Sequence, residues 1–204
     1  TFPAQVRSDV KQYLKNIDEG ILIGRAQLDY HITPKINHHL MFTGGILEDM
    51  FSGVGAEYLY FKPDTNYSFG IELFKVQKRD YHWGFDHLDY TNTTLTGNFY
   101  YRNYGRIPFD MKLSAGEYLA GDIGSTIELS RTFDTGVRFG IFATFTDVTN
   151  EEFGEGSFDK GIFCNIPIYG NLINYTWRPL TKDPGAKLIR KNTLHTIVIK
   201  KESK

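Results

Sequence analysis

The chain of 204 residues is long enough for one domain, and its net charge of −1 gives no electrostatic basis for binding nucleic acid. Its 13 tyrosines and 16 phenylalanines favour strands, while only 41% of its residues are apolar. No apolar run approaches the roughly 20 residues of a membrane helix, and the single cysteine, Cys164, excludes an internal disulfide.

The first 20 residues differ from the remainder of the chain. Val6, Val10, Tyr13 and Leu14 recur at the spacing of one helix face. We therefore expect a short helix or arm at 1–20, followed by strands over 21–204.

About eleven strands are predicted after the helix, since apolar and polar residues alternate along most of the chain. Their predicted ranges are 21–32, 35–45, 54–62, 67–79, 90–102, 109–117, 122–133, 137–147, 161–168, 173–180 and 194–200.

The clearest repeat is the hairpin that joins the strands at 122–133 and 137–147. Along the second strand, every other residue from Val137 to Phe145 is apolar, and the residues between them are small or polar apart from Phe142. Residues 134–136, Asp-Thr-Gly, supply the turn. A strand that is apolar on one face only predicts an apolar medium on that side.

The predicted connections alternate between short and long, as in transmembrane β-barrels. Longer ones are expected at 46–53, 80–89, 148–160 and 181–193. On that basis we expect an antiparallel transmembrane β-barrel segment, with 148–160 extracellular and 134–136 periplasmic. Eleven strands would put the two chain ends on opposite sides and leave edges at 21–32 and 194–200, so strands from an upstream segment or another subunit are expected to complete the barrel.

An acidic loop is the densest cluster of chemically active side chains. Its carboxylates are Asp147, Glu151, Glu152, Glu155 and Asp159. A polar surface loop, a Ca²⁺ or sugar contact and a catalytic acid–base pair all remain open, although the spacing does not match a calcium-binding loop.

Three further residues could contact a saccharide: Trp83 in an aromatic loop, and Trp177 with Arg178 at a strand end. Arg178 could bind an anionic sugar or pair with a luminal acid such as Glu128. Apart from the Ca²⁺ contact left open at the acidic loop, no metal site or other cofactor is expected, because adjacent residues of a strand, such as His38 and His39, point to opposite faces. No catalytic residue is assigned.

Four ordered segments carry a resemblance to a known family: Leu119–Gly124 (LAGDIG), Leu129–Val137 (LSRTFDTGV), Glu152–Gly161 (EFGEGSFDKG) and Thr176–Thr181 (TWRPLT). They closely resemble the YjbH/GfcD family of Gram-negative outer-membrane proteins linked to exopolysaccharide or capsule operons. The resemblance implies that the chain is the C-terminal part of a large β-barrel protein for exopolysaccharide secretion. The chain departs from the family in lacking the N-terminal region and a C-terminal aromatic residue.

The resemblance and the strand pattern together predict a non-enzymatic outer-membrane protein that exports or anchors exopolysaccharide. Its expected partners are outer-membrane lipid, the polysaccharide and the strands that complete the barrel. Two alternatives stay open: a scaffold barrel subunit without transport, and a polysaccharide-modifying enzyme that uses the loop at 147–159.

Overall fold

The structure, a computed structural model, describes residues 6–7, 9–19, 23–81, 84–148, 158–169, 173–177, 185–188, 190 and 193–202. In these residues ten strands form one antiparallel sheet in which each strand pairs with its neighbours in chain order. The strands are β1 (Ala26–Lys35), β2 (His38–Ile46), β3 (Phe51–Phe61), β4 (Tyr67–Arg79), β5 (His87–Asn103), β6 (Phe109–Glu117), β7 (Ile123–Thr132), β8 (Arg138–Thr146), β9 (Phe158–Tyr169) and β10 (Ile173–Trp177).

In the part of the chain that the structure describes, two helices accompany the sheet, α1 (Val10–Glu19) and α2 (Leu194–Glu202). The first confirms the helix expected near the N-terminus. The second contradicts the strand predicted at 194–200. No helix among the described residues is long and apolar enough to cross a membrane.

Packing against the sheet explains why 194–200 is helical despite its run of β-branched residues. Leu194 and Val198 are four residues apart, and both are buried against Met41 and Leu59 of the sheet. The backbone N–H of Leu194 also donates to a carboxylate oxygen of Glu57 at 3.0 Å, which satisfies one of the free donors of the first turn. These tertiary contacts outweigh the local preference for a strand.

The hairpin predicted around 134–136 is confirmed. The N–H of Phe133 donates to the carbonyl of Val137 at 2.9 Å, and the N–H of Gly136 donates to the carbonyl of Phe133 at 2.8 Å. Gly136 has a φ of 81°, which favours glycine because it has no Cβ.

The connections fall at two rims of the sheet. We call the rim with connections 47–50, 80–86, 118–122 and 147–157 the helix rim, because the chain enters β1 from α1 there. The opposite turn rim holds 36–37, 62–66, 104–108, 133–137 and 170–172. The predicted contrast in length is weaker than expected, since strand pairing shortens the connection expected at 46–53 to residues 47–50.

The two outermost strands leave the sheet open. Among the described residues, β1 pairs with β2 and β10 pairs with β9, and no ladder joins β1 to β10. The expected edge at the first strand is therefore confirmed, whereas the second edge is β10 rather than 194–200. Because ten is even, β1 starts and β10 ends at the helix rim, so the expected odd strand count is wrong for this sheet.

The sheet carries apolar side chains on its exposed face and polar side chains on its buried face. On β8, Ile141 is 49% exposed whereas Thr144 is 3% exposed. On β4, Phe69 and Ile71 are exposed while Ser68 is buried. This is the reverse of a water-soluble sheet, whose apolar face packs on the core. We call the apolar side the outer face and the polar side the inner face.

Apolar packing on the inner face occurs in two clusters. One, the rim cluster, lies near the helix rim and contains Val6, Tyr13, Leu47, Met50, Phe51, Phe74, Val76, Leu119, Ala120 and Ala186. The other contains Met41, Leu59, Leu194 and Val198 and holds α2 against β2 and β3. The chain thus covers part of its own inner face.

Arginine substitutions on the two faces of β8 should have different effects. If the outer face contacts lipid, Ile141→Arg should destabilise the protein in a bilayer by about 2–4 kcal/mol, since it places a charge on the apolar face near the middle of the strand. Thr144→Arg should be tolerated better because it enters the polar side. Urea unfolding in lipid vesicles measures both variants, and equal losses, or the reverse order, would contradict the assignment of the faces.

Candidate functional site

The structure places only part of the acidic loop. Residues 149–157, which include Glu151, Glu152 and Glu155, lie outside the described residues. Asp147 follows β8, and its Oδ1 accepts the N–H of Ile123 at 2.9 Å. Asp159 lies on the inner side of β9, opposite Thr144 in the ladder. Asp147 therefore has a structural partner at the start of the paired strand β7, and the proposed sugar contact of the loop stays a prediction.

The predicted aromatic and basic contacts are also only partly described. Trp83 and Arg178 lie outside the described residues, so the expected pairing of Arg178 with Glu128 stays a prediction. Trp177 ends β10, where its backbone lies opposite Cys164. Glu128 itself is buried on the inner face of β7.

The two adjacent histidines point to opposite faces, as expected. His38 shares a hydrogen bond of 2.8 Å with the hydroxyl of Tyr58, whereas the ring of His39 stacks on His31 with centroids 5.6 Å apart. Among the described residues, no group of three or more histidine, cysteine or acidic side chains is arranged to hold a metal ion.

Buried ion pairs fasten the segment before α1 to the helix rim. Arg7 and Glu48 form a salt bridge of 2.8 Å in which both side chains are almost fully buried. Asp9 bridges to Lys78 at 2.8 Å. Removing one partner of a buried pair leaves an uncompensated charge, which costs about 3–5 kcal/mol, so Arg7 and Glu48 each need the other in this position.

Two tyrosines and an arginine extend the same attachment. The hydroxyl of Tyr13 donates to the carbonyl of Arg79 at 2.5 Å, and Arg79 donates to the carbonyls of Ile23 and Asp49 at 2.7 and 3.0 Å. The Tyr81 hydroxyl donates to Asp9 at 2.7 Å, and that bond raises the pKa of Tyr81 to about 12. Tyr13 of α1 and the residues just before the helix thus attach the N-terminal segment to the end of β4 and the loop that follows it.

The connection at 118–122 holds the segment at 185–188. The N–H of Gly185 donates to Oδ2 of Asp122 at 2.5 Å, and the N–H of Leu119 donates to the carbonyl of Ala186 at 2.9 Å. Burial raises the pKa of Asp122, although the bond from Gly185 opposes the shift. These contacts return the chain to the inner side of the sheet ahead of α2.

A buried charged group fixes the start of α2. Arg190 forms a salt bridge with Glu57 of β3, and its guanidinium lies 4.4 Å from the centre of the Phe74 ring. Arg190 also lies 3.9 Å from Glu72 of β4. Since Glu57 also accepts the N–H of Leu194, a single carboxylate holds both the approach to α2 and its first turn.

Polar side chains continue this group across the inner face. The amide of Asn98 on β5 donates to Glu72 at 2.8 Å, and the hydroxyl of Ser114 on β6 donates to Asn98 at 2.7 Å. Further along the sheet, the hydroxyls of Thr126 and Thr144 share a bond of 2.8 Å. Asn98, Ser114, Thr126 and Thr144 are buried and thus find their hydrogen-bond partners on neighbouring strands, as groups removed from water require.

An aromatic pair lies between α2 and the inner face of β5. The imidazole of His195 stacks on the phenol ring of Tyr100, with centroids 3.6 Å apart and planes at 8°. The ammonium of Lys112, opposite Tyr100 in the β5–β6 ladder, lies 5.4 Å from the centre of the same ring. Arg102, two residues along β5, forms a 2.5 Å salt bridge with Asp110.

This inner-face group of Glu57, Tyr100, Lys112, Arg190 and His195 was not predicted as a site. Glu57 was the most visible signal, because it is a lone acid among glycine and alanine in β3. Tyr100 stands between Phe99 and Tyr101, so alternation along β5 does not single it out. Arg190 and His195 lie on the inner face because the chain returns to it before α2. Local residue patterns do not encode this return.

The docking of α2 should weaken in acid through His195. Burial, together with the nearby cations Lys112, Arg102 and Arg138, lowers the pKa of His195 to about 3, compared with about 6.5 in an unfolded chain. The docked state therefore favours the neutral ring, and its stability falls as the pH drops below 6.5. At pH 5 the loss should be about 2 kcal/mol.

Hydrogen exchange of 194–202 at pH 7 and pH 5, corrected for the intrinsic rates, measures this effect. His195→Phe is the matched control, since it keeps a ring on Tyr100 and removes the titrating group. An acid-induced loss of protection that is the same in both proteins would exclude His195 as its cause.

Comparisons with known proteins agree with the resemblance of the four sequence segments. Residues 2–200 match the YjbH family, described as "Exopolysaccharide biosynthesis protein YbjH". Over 201 residues the chain is 35% identical to the Escherichia coli K12 protein described as "Uncharacterized lipoprotein YjbH", covering 94% of this chain but 28% of that protein. No solved structure matches. Since the match extends over nearly all of its residues, the chain belongs to the YjbH family of exopolysaccharide biosynthesis proteins.

Proposed function

We propose that this chain forms part of the wall of an outer-membrane β-barrel that exports exopolysaccharide or anchors it at the cell surface. The observation that carries the proposal is the apolar outer face of the sheet. Membership of the YjbH family links that sheet to exopolysaccharide biosynthesis. The related Escherichia coli protein is described as a lipoprotein, which agrees with a place in the cell envelope.

The outer face favours lipid over water as its surroundings. Outward apolar side chains lie side by side on neighbouring strands, as Leu73 of β4 does with Leu95 of β5, and Leu129 of β7 with Ile141 of β8. Each would gain roughly 25 cal/mol for every Å² of apolar surface removed from water. A continuous apolar face of this kind marks an interaction surface, and the polar inner face is the arrangement of a membrane barrel.

Completion of the sheet requires further strands. The backbone donors and acceptors on the free sides of β1 and β10 need partners within a bilayer, where an unpaired group costs several kcal/mol. We propose that an upstream segment of a longer polypeptide, or another subunit, supplies them. The chain spans only 28% of its Escherichia coli relative, which leaves ample sequence for such strands in a protein of that length.

The proposed role is non-enzymatic. Its polysaccharide contacts would come from the polar inner face and from the candidate residues that the sequence singled out, Asp147, Asp159, Trp83, Trp177 and Arg178 among them. A scaffold without transport is the second candidate, because α1, α2 and their ion pairs already cover part of the inner face. If α1 and α2 always stayed over the inner face, the barrel would serve assembly with other proteins rather than passage of the polysaccharide.

Photo-crosslinking should identify the partners of the edge strands. A benzoylphenylalanine at Tyr30 of β1 or at Tyr175 of β10 should crosslink to residues outside this chain segment in the full-length protein in membranes. The same probe at Phe69 of β4 should instead reach β3 or β5 and serves as the control. A crosslink between β1 and β10 would contradict the proposal, because it would mean that these ten strands close by themselves.

Loss of the gene should change where the polymer is found. Cells that lack the protein should retain exopolysaccharide in the periplasm if it exports the polymer, or release it into the medium if it anchors the polymer. Full-length protein with Thr144→Arg should restore the normal distribution better than protein with Ile141→Arg at equal expression. Unchanged polymer in the deletion strain would overturn both roles, and a stoichiometric complex that forms with unchanged polymer would favour the scaffold.

A further inference from the structure

We propose that the Tyr100 ring is a stacking site for a saccharide ring of the polymer and that α2 is its removable cover. The inference rests on the proposed function. It names the binding site for the polymer on the inner face and the helix that covers this site. Nothing in the residue patterns of the chain pointed to Tyr100, and the geometry around it carries the argument.

His195 fills a flat space against one face of the Tyr100 ring. Its imidazole lies parallel to the Tyr100 ring at the separation of two flat groups in van der Waals contact. If His195 moved away, one face of the phenol would be bare on the inner face, near the turn-rim end of β5. A hexose ring presents an apolar C–H face that packs on an aromatic ring in the same way.

Polar and charged side chains lie near the edge of the Tyr100 ring. Lys112 lies beside Tyr100 on β6, and the Arg102–Asp110 salt bridge and Asn98 lie two residues along β5 in either direction. These groups offer donors and acceptors at the edge of an aromatic platform. A saccharide has this combination of an apolar face and a rim of hydroxyl groups, whereas a lipid chain does not.

The helical state of α2 depends on the contacts that the helix makes with the sheet. The helix has nine residues, and its middle is Thr196-Ile197-Val198-Ile199, a β-branched run that is a poor helix former. A helix this short is marginal in water on its own. Its stability comes from Leu194 and Val198 on the sheet, from the cap by Glu57 and from the stack on Tyr100. Removal of the cover therefore needs the loss of a few contacts only.

The test measures binding of labelled oligosaccharide fragments of the producing strain's own exopolysaccharide to the full-length protein in detergent. His195→Ala should uncover the ring and tighten binding by about threefold or more, the scale of one aromatic stacking contact. Adding Tyr100→Ala should abolish the gain, and adding Tyr100→Phe should keep it. Tyr67→Ala, on the outer face of β4, is the matched control and should leave the gain unchanged.

Hydrogen exchange of 194–202 shows whether His195→Ala loosens α2, and circular dichroism shows whether each variant keeps its sheet. Unchanged affinity in folded His195→Ala protein, or equal affinity with and without the Tyr100 ring, would overturn the site. Failure of the site would leave the polymer phenotype of the deletion strain in place. Failure of the proposed function would abolish that phenotype while Tyr100-dependent binding remained.

Discussion

An antiparallel sheet whose apolar side chains point away from the rest of the chain is the constraint on which the structure depends. The ladders satisfy backbone groups between neighbouring strands, while alternation along each strand sends Ile141 outward and Thr144 inward. In water such a sheet would expose its apolar side at a high cost. In a bilayer the same sheet is favoured, so the alternation links the fold to the proposed location.

The inner face follows from the same constraint. Residues that point away from the apolar side must find polar partners, and they do so through Asn98, Ser114, Thr126 and their neighbours. Where the inner face is apolar, the chain covers it with its own elements. Val6 and Tyr13 pack into the rim cluster, and α2 packs on Met41 and Leu59. If α2 stays on the inner face, the proposed role is that of a scaffold. If α2 leaves the inner face, the proposed role is a passage whose opening is regulated.

Much of the sheet was predictable from the sequence, since period-two alternation is a local signal. The strands at 67–79 and 109–117 have the predicted bounds, and the hairpin around Gly136 follows from its turn residues. The helix at 194–202 was not predictable in this way. Its β-branched residues favour a strand locally, and the carboxylate that caps it belongs to Glu57, far away in the chain.

The candidate site was harder to predict for a related reason. The acidic loop and the aromatic residues attracted attention because their chemistry is concentrated in sequence, yet Asp147 is engaged with the backbone of Ile123. The group around Tyr100 combines β3, β5, β6 and the segment that returns through Arg190. Only the order of strands in the sheet and the return of the chain to the inner face bring these side chains together.

The central claim is that the outer face contacts hydrocarbon and the inner face does not. Spin labels placed singly from Arg138 to Thr146 of β8 in the full-length protein in lipid vesicles test it directly. The account predicts that collision with oxygen, which is enriched in lipid, alternates along the strand, with maxima at Phe139, Ile141, Ala143 and Phe145. If spin labels at all of those positions collided with a water-soluble nickel chelate, and collision did not alternate along the strand, the central claim would be contradicted.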